Sequence, residues 1–466
     1  MKVAFVASEA IPHAKTGGLA DVAGTLPVYL KKIGIDTSIF LPKYRGMKGS
    51  FLCNVEIEMR ERLKIRIYTD GIYYFIDYPE FFDRQGLYGS EKGDYPDNCE
   101  RFTLFCKAVS EFIENNGYDL VHCHDWQTGL IPVYVKLKGI NAKTVFTIHN
   151  LGYQGQFSIS NSAVLDIPQD YFGSEGMEHH GKINFLKTGI LHSDVITTVS
   201  ENYAKEIQTP DLGFGLDAVL RKRSRSLIGI INGIDYNLWN PRTDDFIYQK
   251  YDNYENKQKN KICLSNECNI ELQRPLIGMI SRIADQKGFD LLMKAFDSIV
   301  HMGFNLVLLG VGDEHYYGKL RTYERVYPHR VSINIKFDNK LAHRIYAGSD
   351  FFLMPSKYEP CGLGQLISLK YGTVPVVRKT GGLADSIAEF DRDAMSGNGF
   401  LFAEYAAEDL LRALAESYEV YSNKDIFKIL SEKCMSYDFS WDASAEKYRS
   451  LYESLSSLKP RNLSSR

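Results

Sequence analysis

Seven residues, Lys15-Thr16-Gly17-Gly18-Leu19-Ala20-Asp21, return without a change as Lys379-Thr380-Gly381-Gly382-Leu383-Ala384-Asp385. The first copy follows the opening apolar strand, and the second stands near the far end of another strand-helix series. Paired glycines between a strand end and a helix start let backbone N–H groups come close to a phosphate, and the helix dipole favours the anion. Taken singly, each copy also reads as an ordinary turn in which glycine serves only backbone geometry. As a pair they predict two facing domains, one loop in each, closing on a single phosphorylated ligand.

Chain length points the same way. The sequence has 466 residues, and two domains of about 200 residues each are the natural division at that size. Hydrophobic residues make up 44% and charged residues 24%, with 30 Tyr and 26 Phe to fill large cores, a globular composition. A formal charge of −3 gives no reason to expect nucleic acid or an anionic membrane as partner. Eight irregularly spaced cysteines read as reduced thiols and not as a disulfide framework. The amino terminus runs directly into the strand Lys2–Ala7, without the apolar core and cleavage site of a signal peptide. No stretch of about 18 consecutive apolar residues is present to span a bilayer. A soluble, cytoplasmic protein is expected.

Short apolar strands alternate with helical patterns almost throughout. In the first half strands are predicted over Lys2–Ala7, Thr37–Leu41, Leu120–His122, Thr144–Ile148, Val195–Val199 and Leu227–Ile231, with helices over Ala20–Ile33, Arg101–Asn115 and Tyr203–Gln208. Phe51–Tyr78, rich in Tyr, Ile and charges at alternating positions, reads as antiparallel strands at the sheet margin. The polar stretch Asn237–Lys261 reads as the domain linker. A second series then covers Leu276–Ile280, Asn305–Leu309, Val331–Ile335, Phe351–Pro355 and Val374–Val377, and Trp441–Leu458 forms a final helix before a polar terminus. Such alternation predicts parallel sheets with helices on both faces, an α/β fold whose ligands sit at the carboxyl ends of the strands.

Most chemically loaded segments fall at those ends. Ser281-Arg282-Ile283-Ala284-Asp285-Gln286-Lys287-Gly288 follows a strand and precedes a helix, so Arg282 and Lys287 bracket a loop able to hold a phosphate with a fork and a point charge. Alone, it reads equally as a solvated basic loop. In Ser356–Gln365, Glu359 stands at a strand end where it can accept hydrogen bonds from sugar hydroxyls, or act only as a helix N-terminal carboxylate. The N–H groups of Gly362, Leu363 and Gly364 point from the helix start toward an anion. Cys361 reads as a packing residue. In the first half Asp125 and His149 end adjacent strands and project into one cleft, as a sugar site needs; capping or turn roles are the alternatives.

Other signals are weaker. His122, Cys123 and His124 alternate along a strand and are not expected to share a metal, and no metal site is predicted. Gly213-Phe214-Gly215-Leu216-Asp217-Ala218 fits a dinucleotide pattern on paper but follows no strand. No Gly-x-x-x-x-Gly-Lys-Ser/Thr sequence exists, and His179-His180 reads as a polar surface pair.

In order, the Lys-Thr-Gly-Gly-Leu opening, Asp94-Tyr95-Pro96-Asp97-Asn98, His124-Asp125-Trp126, Thr147-Ile148-His149-Asn150, Asn232-Gly233, Ser281-Arg282, Gln286-Lys287-Gly288, Glu359-Pro360-Cys361-Gly362-Leu363 and Thr380-Gly381-Gly382-Leu383 resemble the bacterial glycogen synthases, the ADP-glucose-using relatives of plant starch synthases. The resemblance spans essentially the whole chain. It implies a GT-B fold: two Rossmann-like domains, residues 1–240 on the acceptor side and 241–440 on the nucleotide-sugar side, facing across a deep cleft. Residues 441–466 would form a helix crossing back to the first domain. Lys15 and Gly18 would contact the nucleotide diphosphate, with Gly17, Asp21, Thr380, Gly381 and Gly382 completing the donor loops. Arg282 and Lys287 would neutralise the departing phosphate, helped by the Leu363 and Gly364 amides. Glu359 would hold glucose hydroxyls, His149 and Asn150 would line the sugar side, and Asp125 would lie near the reacting centre or acceptor. Asn232 and Gln286 would be second contacts, and Phe337 would stack on adenine. Two positions depart from the family: Glu201-Asn202 replaces a Pro-containing pair, and Gly364 replaces the usual Thr, which could loosen the phosphate loop.

The reaction so implied transfers glucose from ADP-glucose to the nonreducing 4-OH of an α-1,4-glucan with retention at C1. It needs no cofactor and no metal, since Arg and Lys supply the charge a divalent ion otherwise brings. UDP-glucose or another nucleotide sugar as donor is the alternative within the same fold. A pyridoxal-phosphate-dependent phosphorylase and a catalytically inactive glucan-binding protein are more distant ones, the last opposed by joint retention of Lys15, Arg282, Lys287 and Glu359.

Overall fold

The computed structural model describes residues 1–457; Leu458, the expected end of the final helix, and the polar terminus after it lie outside them. The chain divides into two compact units. Unit 1 comprises Met1–Val199, Ala204–Ile230 and the C-terminal helix Trp441–Ser457, and unit 2 comprises Ser200–Tyr203 and Ile231–Ser440.

Unit 1 is built on a nine-stranded sheet. From edge to edge it runs Leu227–Gly229, Val195–Thr198, Lys143–Ile148, Leu120–His124, Lys2–Val6, Asp36–Pro42, Tyr73–Asp77, Arg62–Asp70, Ser50–Glu58. The first seven pair in parallel and the last two antiparallel. The marginal segment is therefore mixed, because Tyr73–Asp77 joins Asp36–Pro42 in parallel before the antiparallel pair closes the edge. Val3 and Phe5 pack in one cluster with Val22 and Leu26 of the helix Gly18–Lys32 and with Trp441, Tyr448 and Tyr452 of the C-terminal helix. That last helix is thus part of the core of unit 1.

Unit 2 carries six parallel strands in the order Val331–Ile335, Asn305–Gly310, Leu276–Ile280, Phe351–Met354, Val374–Arg378, Phe400–Phe402. Successive side chains point to opposite faces, and both faces are covered. Leu306 and Leu308 join the cluster of Phe289, Leu292 and Phe296, whereas Val307 and Leu309 join that of Leu264, Leu341 and Ile345. This is a doubly wound Rossmann-like sheet.

The polar segment expected to link the halves is instead packed into unit 2. Asp244 is buried and accepts from His343 Nδ1 at 2.7 Å and from the Tyr371 hydroxyl. Residues Tyr254–Glu267 form a helix whose Lys257 donates to the Ala347 carbonyl and the Thr373 hydroxyl, both at 2.7 Å. Lys261 pairs with buried Asp350 at 2.7 Å. Composition misled here because these charges find partners inside the fold, and paired charges can be buried.

Strand order also locates the sites. In unit 1 the strand Lys2–Val6 has Asp36–Pro42 on one side and Leu120–His124 on the other; in unit 2 Leu276–Ile280 lies between Asn305–Gly310 and Phe351–Met354. At such a switch, crossovers leave in opposite directions and open a crevice beyond the carboxyl ends of the strands. Loops after Val6 and His124, and after Ile280 and Met354, border those crevices.

Candidate active site

In unit 2, the loop leaving Leu276–Ile280 is drawn against the loop leaving Phe351–Met354. Gly288 makes this possible. Its φ is +77°, and a Cβ there would lie 2.0 Å from the Pro355 carbonyl oxygen. Lys357 N donates to Gln286 O at 2.9 Å. Lys287 Nζ then reaches both carboxylate oxygens of Glu359, at 2.6 and 2.8 Å, and Ser356 Oγ donates to the same carboxylate at 2.9 Å. The Glu359 side chain is 7% exposed and that of Lys287 20%, so this is a largely desolvated, charge-assisted pair. Arg282 is exposed and donates from Nη2 to Gln286 Oε1 at 3.0 Å. Arg282, Lys287, Glu359 and Gly362–Gly364 line one cavity of about 180 Å³, together with Ser356, Tyr346 and the apolar Met279 and Met354. The same cavity therefore offers cations to an anion and a carboxylate and a hydroxyl to a polyol, with Lys287 in contact with Glu359.

Nearby expected residues take defined places. Asn232 is buried beside Cys361. Phe337, in the loop after Val331–Ile335, is 85% exposed, an aromatic face open to stacking. Gly364 opens the helix Gly364–Lys370, and a Cβ on it would meet Phe352 Cε1 at 2.8 Å. Glycine at 364 thus accommodates the Phe352 ring, which accounts for it better than a loosened loop does. Asn202, at the other departure from the family, donates its N–H to Asp385 of the second heptapeptide at 3.0 Å.

In unit 1, Asp125 follows Leu120–His124 with φ +57°, a costly conformation for a residue with a Cβ. Hydrogen bonds hold it there: its N–H donates to Thr147 O at 3.0 Å, and its Oδ1 accepts from His149 N at 2.8 Å. The two strand ends are thereby tied together. His149 Nε2 lies 2.9 Å from His124 Nδ1. Burial pushes the Asp125 carboxyl up to about 7; the N–H of His149 opposes this, and the charge of Glu9 adds to it. Burial pulls His149 down to about 3, so its ring is neutral at physiological pH. Asn150 turns the chain, its Oδ1 accepting from Gly152 N at 3.0 Å.

As alternation along a strand requires, His122 and His124, two residues apart, share a face, and their rings lie 4.2 Å apart. His122 is held by the Tyr452 hydroxyl at 2.7 Å and Thr147 Oγ1 at 2.6 Å. No His/Cys/Asp/Glu group suited to a metal ion occurs among the described residues.

The two heptapeptides use their glycines differently. Around Gly17 and Gly18 an added Cβ would meet nothing within 4 Å. At Gly381, where φ is +44°, it would lie 1.9 Å from Glu359 O, and at Gly382 2.1 Å from Cys361 O. Gly382 N also donates to Glu359 O and Pro360 O, both at 3.1 Å. The second copy therefore shapes the Glu359 loop, and its Gly382 N–H is already committed. In the first copy Lys15 Nζ pairs with Asp21 at 2.7 Å, and Thr16 and Gly17 donate to the carboxylate of Glu9. Gly382→Ala should destabilise the fold by about 1–3 kcal/mol through overpacking, whereas Gly18→Ala should leave Tm unchanged. Thermal melts of the two variants check this; equal melts would show that the copies are equivalent.

Sequence reasoning missed Glu9, Ser356 and Tyr346. Glu9 carried one signal, a lone acid among apolar and small residues just beyond a strand. Tyr346 carried none, since it lies inside a helix and not at the end of a strand.

Two Rossmann-like sheets, one with a cation-and-carboxylate pocket at its switch point, define the glycosyltransferases of the GT-B class. Residues 2–222 match the family "Starch synthase catalytic domain" and residues 264–428 match "Glycosyl transferases group 1". Glycogen synthases of Thermodesulfovibrio yellowstonii and Geotalea daltonii are 43% and 46% identical, over 98% and 97% of this chain and 98% of each relative. The catalytic domain of starch synthase IV from Arabidopsis thaliana, solved with ADP and acarbose, superposes with a TM-score of 0.87 at 34% identity, covering 98% of this chain and 99% of that one. Sucrose-phosphate synthase from Thermosynechococcus elongatus, 17% identical with a TM-score of 0.64, covers 97% of this chain and 98% of its own and shares the fold. The chain belongs to the glycogen synthase family and is a glycosyltransferase. No helix among the described residues is long and apolar enough to cross a membrane.

Proposed function

We propose that the protein transfers glucose from ADP-glucose to the nonreducing 4-OH of an α-1,4-glucan with retention at C1. The observation that carries this is the pocket of unit 2, where Arg282 and the Lys287–Glu359 pair share one cavity with the Gly362–Gly364 backbone. The ADP and acarbose named with the plant starch synthase support the choice of nucleotide and of a glucan-like acceptor.

As glucose leaves, negative charge grows on the diphosphate and the sugar becomes oxocarbenium-like. The protein answers electrostatically. Arg282 and Lys287 take the phosphate charge, with the Leu363 and Gly364 amides beside them. Glu359, steadied by Ser356, accepts hydrogen bonds from the glucose hydroxyls and exchanges part of its bond to Lys287 for them. Asn232 and Gln286 are further contacts in this unit, and Phe337 is the stacking surface for adenine. From unit 1, Lys15 and Gly18 contribute to the diphosphate, and neutral His149 with Asn150 to the sugar. Asp125 contributes near the reacting centre or the acceptor. Two fixed cations meet the charge of the diphosphate, so no divalent ion or cofactor is required. Eight cysteines without a disulfide suit a reducing, cytoplasmic setting.

The test is nucleoside diphosphate release from ADP-glucose with and without glycogen, beside the same assay with UDP-glucose. Glycogen-dependent ADP release, much faster than UDP release, is the expected outcome. Faster UDP release would move the donor assignment, and no release from either would remove the proposal.

A further inference from the structure

The first Lys-Thr-Gly-Gly loop is held by a carboxylate of the protein itself. Glu9 is 4% exposed. Its Oε2 accepts from Thr16 N at 2.5 Å and Gly17 N at 3.2 Å, and its Oε1 accepts from the Thr16 hydroxyl at 2.9 Å. The Tyr88 hydroxyl donates to Oε1 at 2.9 Å and also meets Ser8 Oγ at 2.7 Å. Tyr88 is in turn fixed by Asp94-Tyr95-Pro96-Asp97-Asn98, a motif for which the reaction offered no role. Tyr95 N and Asn98 Nδ2 both donate to the Tyr88 carbonyl, at 3.0 and 2.9 Å. Arg101 Nη1 donates to Asn98 Oδ1 at 2.6 Å. A continuous run of hydrogen bonds thus leads from the buried helix Asn98–Asn116 to the loop.

We propose that Glu9 is a positioning residue for donor binding: braced by Tyr88 and Asn98, it sets the backbone of Thr16 and Gly17 so that Lys15 and Gly18 are presented to the donor diphosphate. The physical need is clear from the loop itself. Two adjacent glycines with open space around them have many conformations available. Four hydrogen bonds to one buried carboxylate select a single one. The inference rests on the proposed donor, but the clamp itself can be observed without any substrate.

The chemistry of the clamp calls for an acceptor toward Thr16 and Gly17, and it does not call for charge. In Glu9→Gln the amide oxygen can still accept both N–H groups while its NH2 donates to the Thr16 or Tyr88 hydroxyl oxygen. Glu9→Ala removes every bond. Three variants, Glu9→Ala, Glu9→Gln and Tyr88→Phe, should therefore be compared with the wild type by hydrogen–deuterium exchange of residues 15–18, by donor KM and kcat, and by Tm. Glu9→Ala is expected to speed exchange at Thr16 and Gly17 and to raise donor KM roughly tenfold or more through misplacement of the loop. Glu9→Gln should restore both, and Tyr88→Phe should shift both in the same direction by less. Wild-type exchange and KM in Glu9→Ala would overturn the proposal. So would a Glu9→Gln variant as defective as Glu9→Ala, since that result would make the charge, and not the hydrogen bonds, the active feature. If Glu9→Ala does not fold, Tyr88→Phe decides by the same readouts. A wild type that releases no nucleoside diphosphate from any sugar donor would remove the functional reading, while the exchange of Thr16 and Gly17 would still decide the clamp.

Discussion

Arg282→Ala should slow glycogen-dependent ADP release by roughly a hundredfold, corresponding to the loss of on the order of 3 kcal/mol of transition-state stabilisation, and should leave Tm where it was. The side chain is exposed and one of its bonds reaches Gln286, only four residues away, so its removal opens no cavity. On the proposed mechanism, what is lost is the fork that meets the leaving phosphate. Arg282→Lys keeps the charge but not the fork and should recover only part of the rate. Unchanged turnover in Arg282→Ala would take the leaving-group role away from this residue.

Lys287→Met should be as slow or slower and, unlike Arg282→Ala, should also destabilise unit 2. Lys287 meets both oxygens of a carboxylate that is 7% exposed. Without it Glu359 keeps the Ser356 hydroxyl but loses its cation. Leaving such an acceptor undercompensated costs about 1–3 kcal/mol. Denaturation of Lys287→Met, Glu359→Gln and the double variant separates the two effects. The double variant should be less destabilised than the sum of the singles, because removing the charge of Glu359 relieves the stranded carboxylate. Strict additivity would mean that the pair is not coupled as its geometry implies.

Much of the site could be read from local order along the chain. Arg282, Lys287 and Glu359 stand just beyond apolar strands and ahead of helices, and in parallel α/β sheets that position borders the ligand crevice. Asp125 and His149 were legible for the same reason, and the bond between them follows from neighbouring strands. The linker was misread because a polar segment was assumed to be solvated, whereas Asp244, Lys257 and Lys261 each meet a buried partner 89 to 127 residues away. Glu9 stayed hidden because one acid beyond a strand has no pattern of its own.

Residue order alone thus determined two α/β units, the positions of most of their parallel strands, and the presence of cations, a carboxylate and glycine loops at strand ends. Those properties depend on hydrophobic periodicity and on turn chemistry, both of which act over a few residues. Tertiary structure decided which of those groups pair. Lys287 finds Glu359 72 residues away because Leu276–Ile280 and Phe351–Met354 are adjacent in the sheet. Two identical heptapeptides likewise end in different roles: one is held by the side chain of Glu9, and the other is packed against the main chain of Glu359–Cys361. The seven residues are the same, and the difference lies in what the strand order brings beside them.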